Sequence, residues 1–376
     1  MFCVNEDALE LKTLQPVAGR IEAPIRHGQV ARTFLSIPAS AFFVVATIAT
    51  DGSDDRRVSL LDELVDSDFV KISRSPDFDH FRSIEGLGEA NSIPIDCRNF
   101  DASFASLRLK ACTIYLQRTF PRILQVQYST TGAIVGLMMD DAASLILNGM
   151  EARAPAFLLV KGSAQCEIVE QQANLVVLVN FDSVDDRGWP GELNRAQVIA
   201  TELAKFGALR TTLRDVLMLA SHSPDALVQP DVIESIEESI LQAVDLAMAA
   251  ASPASEAKRL SLSHYLALVR KFDEFVAVNA GKTLYSADVA RQFGVSVRTL
   301  HNAVVAIRGM SMHRYMRLRR LWSVRQQLLR TQSQSIKAVA LVNGFWHMGE
   351  FTALYRELFG ETPQQTLSAA RKQTNG

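Results

Sequence analysis

Two stretches toward the C-terminal end have the pattern of one supersecondary unit used twice, and they constrain the fold more than any other feature of the chain. The first runs from Leu284 to Arg308, the second from Ser335 to Phe359. Each predicts a short helix, a tight turn containing Gly and a second helix. In the first, Val289, Ala290 and Phe293 lie at i, i+1 and i+4, the inner face of a short helix. Ala290 is small enough to let two helices approach closely. Gly294 suits a left-handed cap and Ser296 an N-cap for the next helix, in which Leu300 and Val304 face inward. In the second unit Ala340, Gly344 and Phe345 repeat that logic, and Phe351, Tyr355 and Phe359 form an aromatic inner stripe. Gly360 and Pro363 stop the last helix.

A second helix held in this way can enter a DNA major groove, with its outer N-terminal side chains at the base edges. Ser296, Arg298, Thr299, His301 and Asn302 are the candidate contacts of the first unit. Arg pairs well with guanine and Asn with adenine. In the second unit His347, Glu350 and Thr352 are candidate base contacts and Arg356 a phosphate contact. Glu350 can accept from cytosine, although a solvated or capping Glu fits the position equally. An ordinary helical hairpin with a charged surface is the plain alternative. Between the units, Met312 to Arg330 is a basic helix with an apolar stripe at Tyr315, Leu318, Leu321, Val324 and Leu328. Its Arg317 and Arg320 are candidate phosphate contacts. Two reading helices on one rigid body imply two successive major grooves, about 10 bp apart.

This region resembles the DNA-binding domain of the AraC/XylS family of bacterial transcription regulators. The resemblance is carried by Ala290, Gly294-Val295-Ser296, Arg298-Thr299-Leu300, Gly309, Ser311, Tyr315 and Arg320-Leu321. It continues through Ile336, Ala340, Gly344-Phe345, Phe351, Phe359-Gly360 and Thr362-Pro363. Departures are Asn302, Val304 and Met312, where the family commonly has Arg, Phe and Pro. Trp346-His347-Met348-Gly349 replaces a more polar run, so phosphate contact is an open alternative to base reading for the second unit. The resemblance implies a cytoplasmic, nucleoid-associated transcription regulator, activator or repressor, on double-stranded promoter DNA. It further implies a homodimer, contact with RNA polymerase where it activates, and a small-molecule effector sensed by the body of the chain. No cofactor is implied.

The charge distribution agrees. From Gly281 onward there are 14 basic and 4 acidic side chains, leaving 25 basic and 37 acidic of the chain's 39 and 41 in the first 280 residues. A basic tail on an acidic body is the footprint of phosphate neutralisation. The body repels DNA, and it could dock on the tail in an inhibited state. Cys3, Cys97, Cys112 and Cys166 show no Cys-x-x-Cys and no His at ligand spacing, which argues against a zinc site or a disulfide framework. Buried, reduced thiols of a cytoplasmic protein are expected. An enzyme is not expected: Gly-x-Ser-x-Gly and paired His are absent, and Gly281-Lys282-Thr283 lacks the phosphate loop's first Gly, with Val276 in its place. The uncharged stretch Thr33 to Thr50 contains Pro38 and five hydroxyl residues, so a buried strand or loop is expected there rather than a membrane span. The N-terminus lacks the positive region of a signal peptide.

The expected architecture is α+β and multidomain. Residues 1–75 form an N-terminal extension without clear pattern. Residues 76–250 form a sensory and dimerisation domain, with strands over about 78–182 and helices over about 193–250. The stretch 251–258 is a linker, and 259–372 the all-α tandem helix-turn-helix domain. Short alternating segments at Ser106–Gln117, Ile123–Tyr128, Ala133–Met139, Phe157–Val160, Gln165–Val169 and Asn174–Val179 predict a sandwich or small barrel. Asn148-Gly149 marks a hairpin. The resemblance makes the barrel cupin-like, without the His pair of metal-dependent cupins. Arg122, Gln125, Gln127 and Tyr128 are candidate ligand-lining residues, against the alternative that they alternate toward solvent. The helices Leu193–Ala208, Thr211–Ala220 and Asp231–Ala251 are expected next, the last with an apolar face at Val232, Ile236, Ile240 and Val244. That face serves either a dimer contact or packing on the sheet. A ligand-independent or partner-controlled regulator is the alternative function.

Overall fold

The alternating segments between 103 and 181 fold into an antiparallel sheet bent by its two longest strands. The structure, a computed structural model, describes residues 59–76, 78, 88–184, 187–251, 256–279, 285–330 and 335–374, and before these only two short strands. The chain divides into two units, Met1–Asp55 and Arg56–Gly376. In the first, β1 (Arg32–Thr33) pairs antiparallel with β2 (Val45–Ala46), β1 at the edge of the uncharged stretch discussed above and β2 within it. The rest of that stretch, Cys3 and residues 252–255 of the linker expected at 251–258 lie outside the described residues, and the last three linker positions begin a helix.

The second unit begins with α1 (Leu60–Glu63), β3 (Val70–Arg74), β4 (Gly88–Pro94), β5 (Ser103–Arg108), β6 (Cys112–Arg118), β7 (Arg122–Met138), β8 (Ser144–Leu147), β9 (Met150–Arg153), β10 (Ala156–Glu170), β11 (Leu175–Phe181) and β12 (Arg195–Ala200). Helices α2 (Leu203–His222) and α3 (Pro230–Ala249) follow. The remainder is helical: α4 (Glu256–Val278), α5 (Ser286–Gln292), α6 (Val297–Arg308), α7 (Met312–Arg330), α8 (Ile336–Val342), α9 (Met348–Phe359) and α10 (Pro363–Thr374). Among the described residues, no helix is long and apolar enough to cross a membrane.

The strand order is β3-β5-β6-β11-β7-β10-β8-β9, with β12 on β10 and β4 on β7. Among the described residues this path does not return on itself, so the expected closed barrel is corrected to an open, folded-over sheet. Two segment pairs read as separate short strands are continuous: 123–128 with 133–139 in β7, and 157–160 with 165–169 in β10. The register passes from Lys161↔Ala133 to Ser163↔Ser129, so residues 130–132 stand opposite Gly162 alone. Gly162 has φ 73°, and such a bulge bends a strand without ending its pairing. The early half of β7 therefore pairs with β4 and its later half with β11. Asn148 and Gly149, at φ 50° and 84°, make the expected hairpin between β8 and β9.

Residues 195–200, read from sequence as helix, form β12. They pair with Ala156–Lys161 and supply partners to backbone groups that β10 would otherwise leave open, a tertiary demand that overrides local helical pattern. The helix begins only at Leu203. Helices α2 and α3 then cover the sheet, burying Phe206, Leu209 and Leu213 with Ile236, Ile240 and Val244 against Leu107, Ile114 and Leu116. The apolar face of α3 weighed as a dimer contact is thus occupied within the chain.

Cys112 and Cys166 are buried free thiols. Burial pushes the Cys112 thiol up to about 12 and raises that of Cys166 further. Since the thiolate is the reactive form, neither should react with a thiol reagent at neutral pH until the protein unfolds. Mass analysis after native and denatured labelling checks this, and a label on either residue in the folded protein would contradict it.

The sheet and the helical region share a core. Ile93, Ile95, Ile123 and Val169 of the strands pack with Phe272, Val304, Ile307 and Leu318 of the helices. Phe78 stacks on Phe359 at 5.8 Å, and the Arg325 guanidinium lies over both rings at 4.3 and 4.9 Å. The Cys97 amide donates to the Leu358 carbonyl at 2.9 Å, and Gln171 Nε2 to that of Gly309 at 3.2 Å. The Asn148-Gly149 turn also faces the helices, for a Cβ added at Gly149 would lie 2.7 Å from Ile307 Cδ1.

Candidate nucleic-acid interface

The two helix pairs, α5 with α6 and α8 with α9, close through the same backbone geometry. The Val295 amide donates to the Ala290 carbonyl at 3.0 Å, and the Phe345 amide to that of Ala340 at 3.0 Å. The turn glycines Gly294 and Gly344 have φ 67° and 79°, the left-handed region that ends a helix in one residue. Leu300, Val304 and Ile307 of α6 point inward, as do Phe351, Tyr355 and Leu358 of α9. The second turn is one residue longer relative to these apolar positions: Ala290 to Leu300 spans ten residues and Ala340 to Phe351 eleven. Both pairs pack on α7, whose Tyr315, Leu321, Val324 and Leu328 are buried in a core common to the two units. Their separation is therefore set by one rigid body.

Along α6 the candidates divide. Ser296 caps the helix, accepting from the Thr299 amide at 3.0 Å and sharing a 2.8 Å hydrogen bond with the Thr299 hydroxyl. These two hydroxyls are committed to starting the helix. Arg298, His301 and Asn302 are exposed and project from its first two turns. On α9, His347, Glu350, Thr352 and Arg356 are all exposed. The Thr352 hydroxyl donates back to the Met348 carbonyl at 2.8 Å, so its free capacity is as an acceptor. His347 holds the N-cap position of α9 but makes no cap hydrogen bond, unlike Ser335 on α8, which accepts from the Ala338 amide. Trp346, at 67% exposure, and Val297, at 44%, stand beside these polar groups. Trp346, which departs from the family pattern, lies in the longer second turn.

The arginines of α7 are placed differently. Arg320 is half-buried, its Nη1 3.4 Å from a Cβ that would be added at Gly344, and desolvation lowers its pKa from the usual arginine value. It supports the second turn. Arg317 lines a cleft with Asp96, Arg98, Pro121, Arg314 and Glu357, between α7, α9 and the sheet.

A buried polar network ties α6 to the sheet. Arg308, at the C-terminal end of α6, is fully buried and bonds Glu167 of β10 through Nη1 and Asp273 of α4 through Nη2 at 2.5 Å. Tyr315 donates to Asp273 at 2.5 Å, and Arg270 Nε to Glu167 at 3.2 Å. The pattern of α6 placed Arg308 at its last turn but could not show two carboxylates from distant segments meeting there.

Within the folded sheet lies a cavity of about 60 Å³ with a mostly apolar wall that includes Leu124, Leu158, Ile168, Val176 and Leu178. Its polar end holds Gln117, Thr119, Arg122 and Glu170. Arg122 Nε donates to Glu170 at 2.7 Å, as does the Thr119 hydroxyl at 2.6 Å. The Gln117 Nε2 is buried without a hydrogen-bond partner. Strand alternation puts Arg122 and Tyr128 on this wall and sends Gln125 and Gln127 to the other face, where Gln127 Nε2 donates to Ser163. Burial raises the Tyr128 hydroxyl pKa. Gln117, Thr119 and Glu170 are not legible in sequence because the end of β6 and the end of β10, about fifty residues apart, meet only in the fold. Among the described residues, no group of three His, Cys, Asp or Glu is placed to hold a metal ion.

A profile of helix-turn-helix domains matches residues 289–369. The probable thc operon regulatory protein of Rhodococcus erythropolis is 32% identical over 102 residues, 27% of this chain and 31% of that protein. The XylDLEGF operon transcriptional activator 2 of Pseudomonas putida is 35% identical over 97 residues, 25% of this chain and 62% of that protein. The chain thus spans from about a third to under two thirds of these relatives' lengths. Among solved structures, an AraC-type transcriptional regulator from Chromobacterium violaceum is 27% identical, covering 31% of this chain and 96% of that one, with a TM-score of 0.26. ToxT from Vibrio cholerae, solved with a substituted butenoic acid, is 14% identical, covering 69% of this chain and 100% of that one, with a TM-score of 0.26.

Proposed function

We propose, from the premise that residues 289–369 form a helix-turn-helix domain of the AraC/XylS type, that this protein is a sequence-specific transcription regulator whose sheet domain senses a small effector. One observation carries the reading: α6 and α9 each follow a left-handed glycine turn closed by the same amide-to-carbonyl bond, and expose their polar faces from one shared core. Such a body suits two successive major grooves of promoter DNA. Arg298, His301 and Asn302 are the base-reading set of the first unit, with Ser296 and Thr299 holding that helix's start. His347, Glu350 and Thr352 are the second set, and Arg356 a phosphate contact. Arg320 acts mainly by positioning the second unit, and Arg317 is a phosphate contact on α7. A homodimer is the arrangement such a regulator would use, with RNA polymerase as the further partner where it activates.

Effector control follows from β10. Ile168 and Glu170 line the cavity, whereas Glu167 bonds Arg308 and Val169 packs in the helical core. One strand is the wall between the two. Ligand sites commonly run to several hundred Å³, so a ligand of ordinary size must displace this wall. Displacement there moves the carboxylate that holds α6. Arg122, Tyr128 and Gln117 would meet the effector's polar end.

The test is genome-wide crosslinking and sequencing of DNA bound by the tagged full chain. A few promoter peaks sharing a two-part motif, with centres about one helical turn apart, are expected; diffuse binding without a motif would sink the reading. The neighbouring genes then name effectors, and a true one should raise the melting temperature of the whole protein. The cavity's small size favours the second reading, partner or ligand-independent control, if no such compound shifts melting.

A further inference from the structure

The turn leading out of β4 brings a basic residue of the sheet domain onto the outer face of α9. Arg98 borders a groove whose other wall is Met348, Gly349, Thr352, Ala353 and Arg356. This is the flank of α9 opposite the buried Phe351, Tyr355 and Leu358, so the groove lies along the face offered to DNA.

We propose that Arg98 is a DNA-phosphate contact, and that the sheet domain thereby forms part of the nucleic-acid interface beside the second helix-turn-helix unit. The inference rests on the DNA-binding reading above, which places contacts in the helical region alone.

Four observations support it. The turn is fixed to α9 by backbone: the Cys97 amide donates to the Leu358 carbonyl at 2.9 Å, and a Cβ at Gly360 would lie 3.5 Å from the Arg98 Cα. Arg98 therefore keeps its place relative to the reading helix. Its guanidinium is oriented by Asp96, with Nε 3.1 Å from Oδ1 and Nη2 2.6 Å from Oδ2. That fork uses one edge of the guanidinium and leaves Nη1 uncommitted among the described residues. The Arg98 side chain is 58% exposed, and an ion pair so open to solvent contributes little, so a phosphate oxygen can compete for the remaining donors.

The local charge also fits an anion. Asp96 and Glu357 are the carboxylates near this turn, and they face Arg98, Arg314, Arg317 and Arg356. Two positive charges remain unbalanced, because Arg98 and Asp96 cancel on the sheet side while Arg314, Arg317 and Arg356 outnumber Glu357 on α7 and α9. A recognition helix inserted in a major groove is flanked by both phosphate backbones, and contacts there fix register without reading sequence. Arg98 is positioned for that role at the C-terminal end of α9.

The test uses the full chain, a duplex carrying the two-part site found above, and a random duplex of equal length, over a range of salt concentrations. Arg98→Ala should bind both duplexes roughly tenfold more weakly, and its slope of log affinity against log salt should fall by about 0.9, one phosphate's worth. Arg98→Lys should keep the slope. Unchanged affinity and slope for Arg98→Ala would overturn the proposal, and tighter binding would show instead that the turn obstructs α9. Arg298→Ala is the control, expected to weaken only the specific site. If it does so while Arg98→Ala changes nothing, the regulator reading stands and this inference falls. If the wild-type chain prefers no site, both fall.

Discussion

Replacing Arg308 by Ala should destabilise the protein by about 3 kcal/mol and separate the melting of the sheet from that of the helical region. Breaking a buried pair by removing one partner costs about 3–5 kcal/mol, because the remaining charge has lost its compensation but not its burial. Here two carboxylates are left, Glu167 and Asp273, exposed at only 3% and 9%. The lower end of the range applies because each keeps a donor: Arg270 Nε at 3.2 Å on Glu167 and the Tyr315 hydroxyl at 2.5 Å on Asp273. The two carboxylates come from β10 and α4, so Arg308 joins three segments across the shared core. Its loss should change cooperativity as well as the midpoint, and calorimetry would show a second transition. Arg308→Met with Glu167→Leu, Asp273→Leu and Tyr315→Phe, the last because Tyr315 would otherwise lose its acceptor on Asp273, should recover much of the lost stability, since an apolar replacement removes the desolvation cost together with the attraction. A single unchanged transition in Arg308→Ala would mean that apolar packing alone holds the regions together. Because Arg308 ends α6, the single variant should also lose DNA affinity through disorder of that helix, equally for all sequences.

The second large effect should be selective. Arg298→Ala or Asn302→Ala should cost about 1–3 kcal/mol on the specific site and relax preference at one base position, with little loss on random DNA. Both residues are exposed on α6, so the melting temperature should not fall. Binding measured to a panel of single-base variants of the site reads this directly. A uniform loss over the panel would make Arg298 a phosphate contact, and no loss would remove α6 from the readout. The comparison with Arg308→Ala is informative because both act through one helix, the first at its reading surface and the second at its anchor. Arg320→Ala should behave as the anchor does, with a lower melting temperature, since its guanidinium is half-buried against the Gly344 turn.

The helix-turn-helix pairs were legible because their determinants are local. Helical period, a left-handed glycine and a hydroxyl cap act within a few residues, and Val289, Gly294, Ser296 and Leu300 each sit where that logic places them. The Asn148-Gly149 hairpin was legible for the same reason. The exposure of Arg298, His301 and Asn302 also follows from period alone, once Leu300 and Val304 are known to point inward.

What was illegible depends on pairing between distant segments. Residues 195–200 carry a pattern that suits a helix, and only the open edge of β10 makes them a strand. The alternation in 123–139 marks strands but not that a bulge at Gly162 keeps two of them continuous, which decides between a closed barrel and a folded-over sheet. Arg122 and Gln125 look alike in sequence, yet strand parity and the fold of the sheet turn the first into the cavity and the second away from it. By itself, then, the sequence determined the helix-turn-helix pairs and the charge that favours DNA, since both arise from short-range order and composition. Only the tertiary structure decided that the acidic body grips the basic domain through Glu167 and Arg308 and sets Arg98 at the edge of the groove along α9, because a buried ion pair and a shared groove exist only where residues far apart in the chain are brought together.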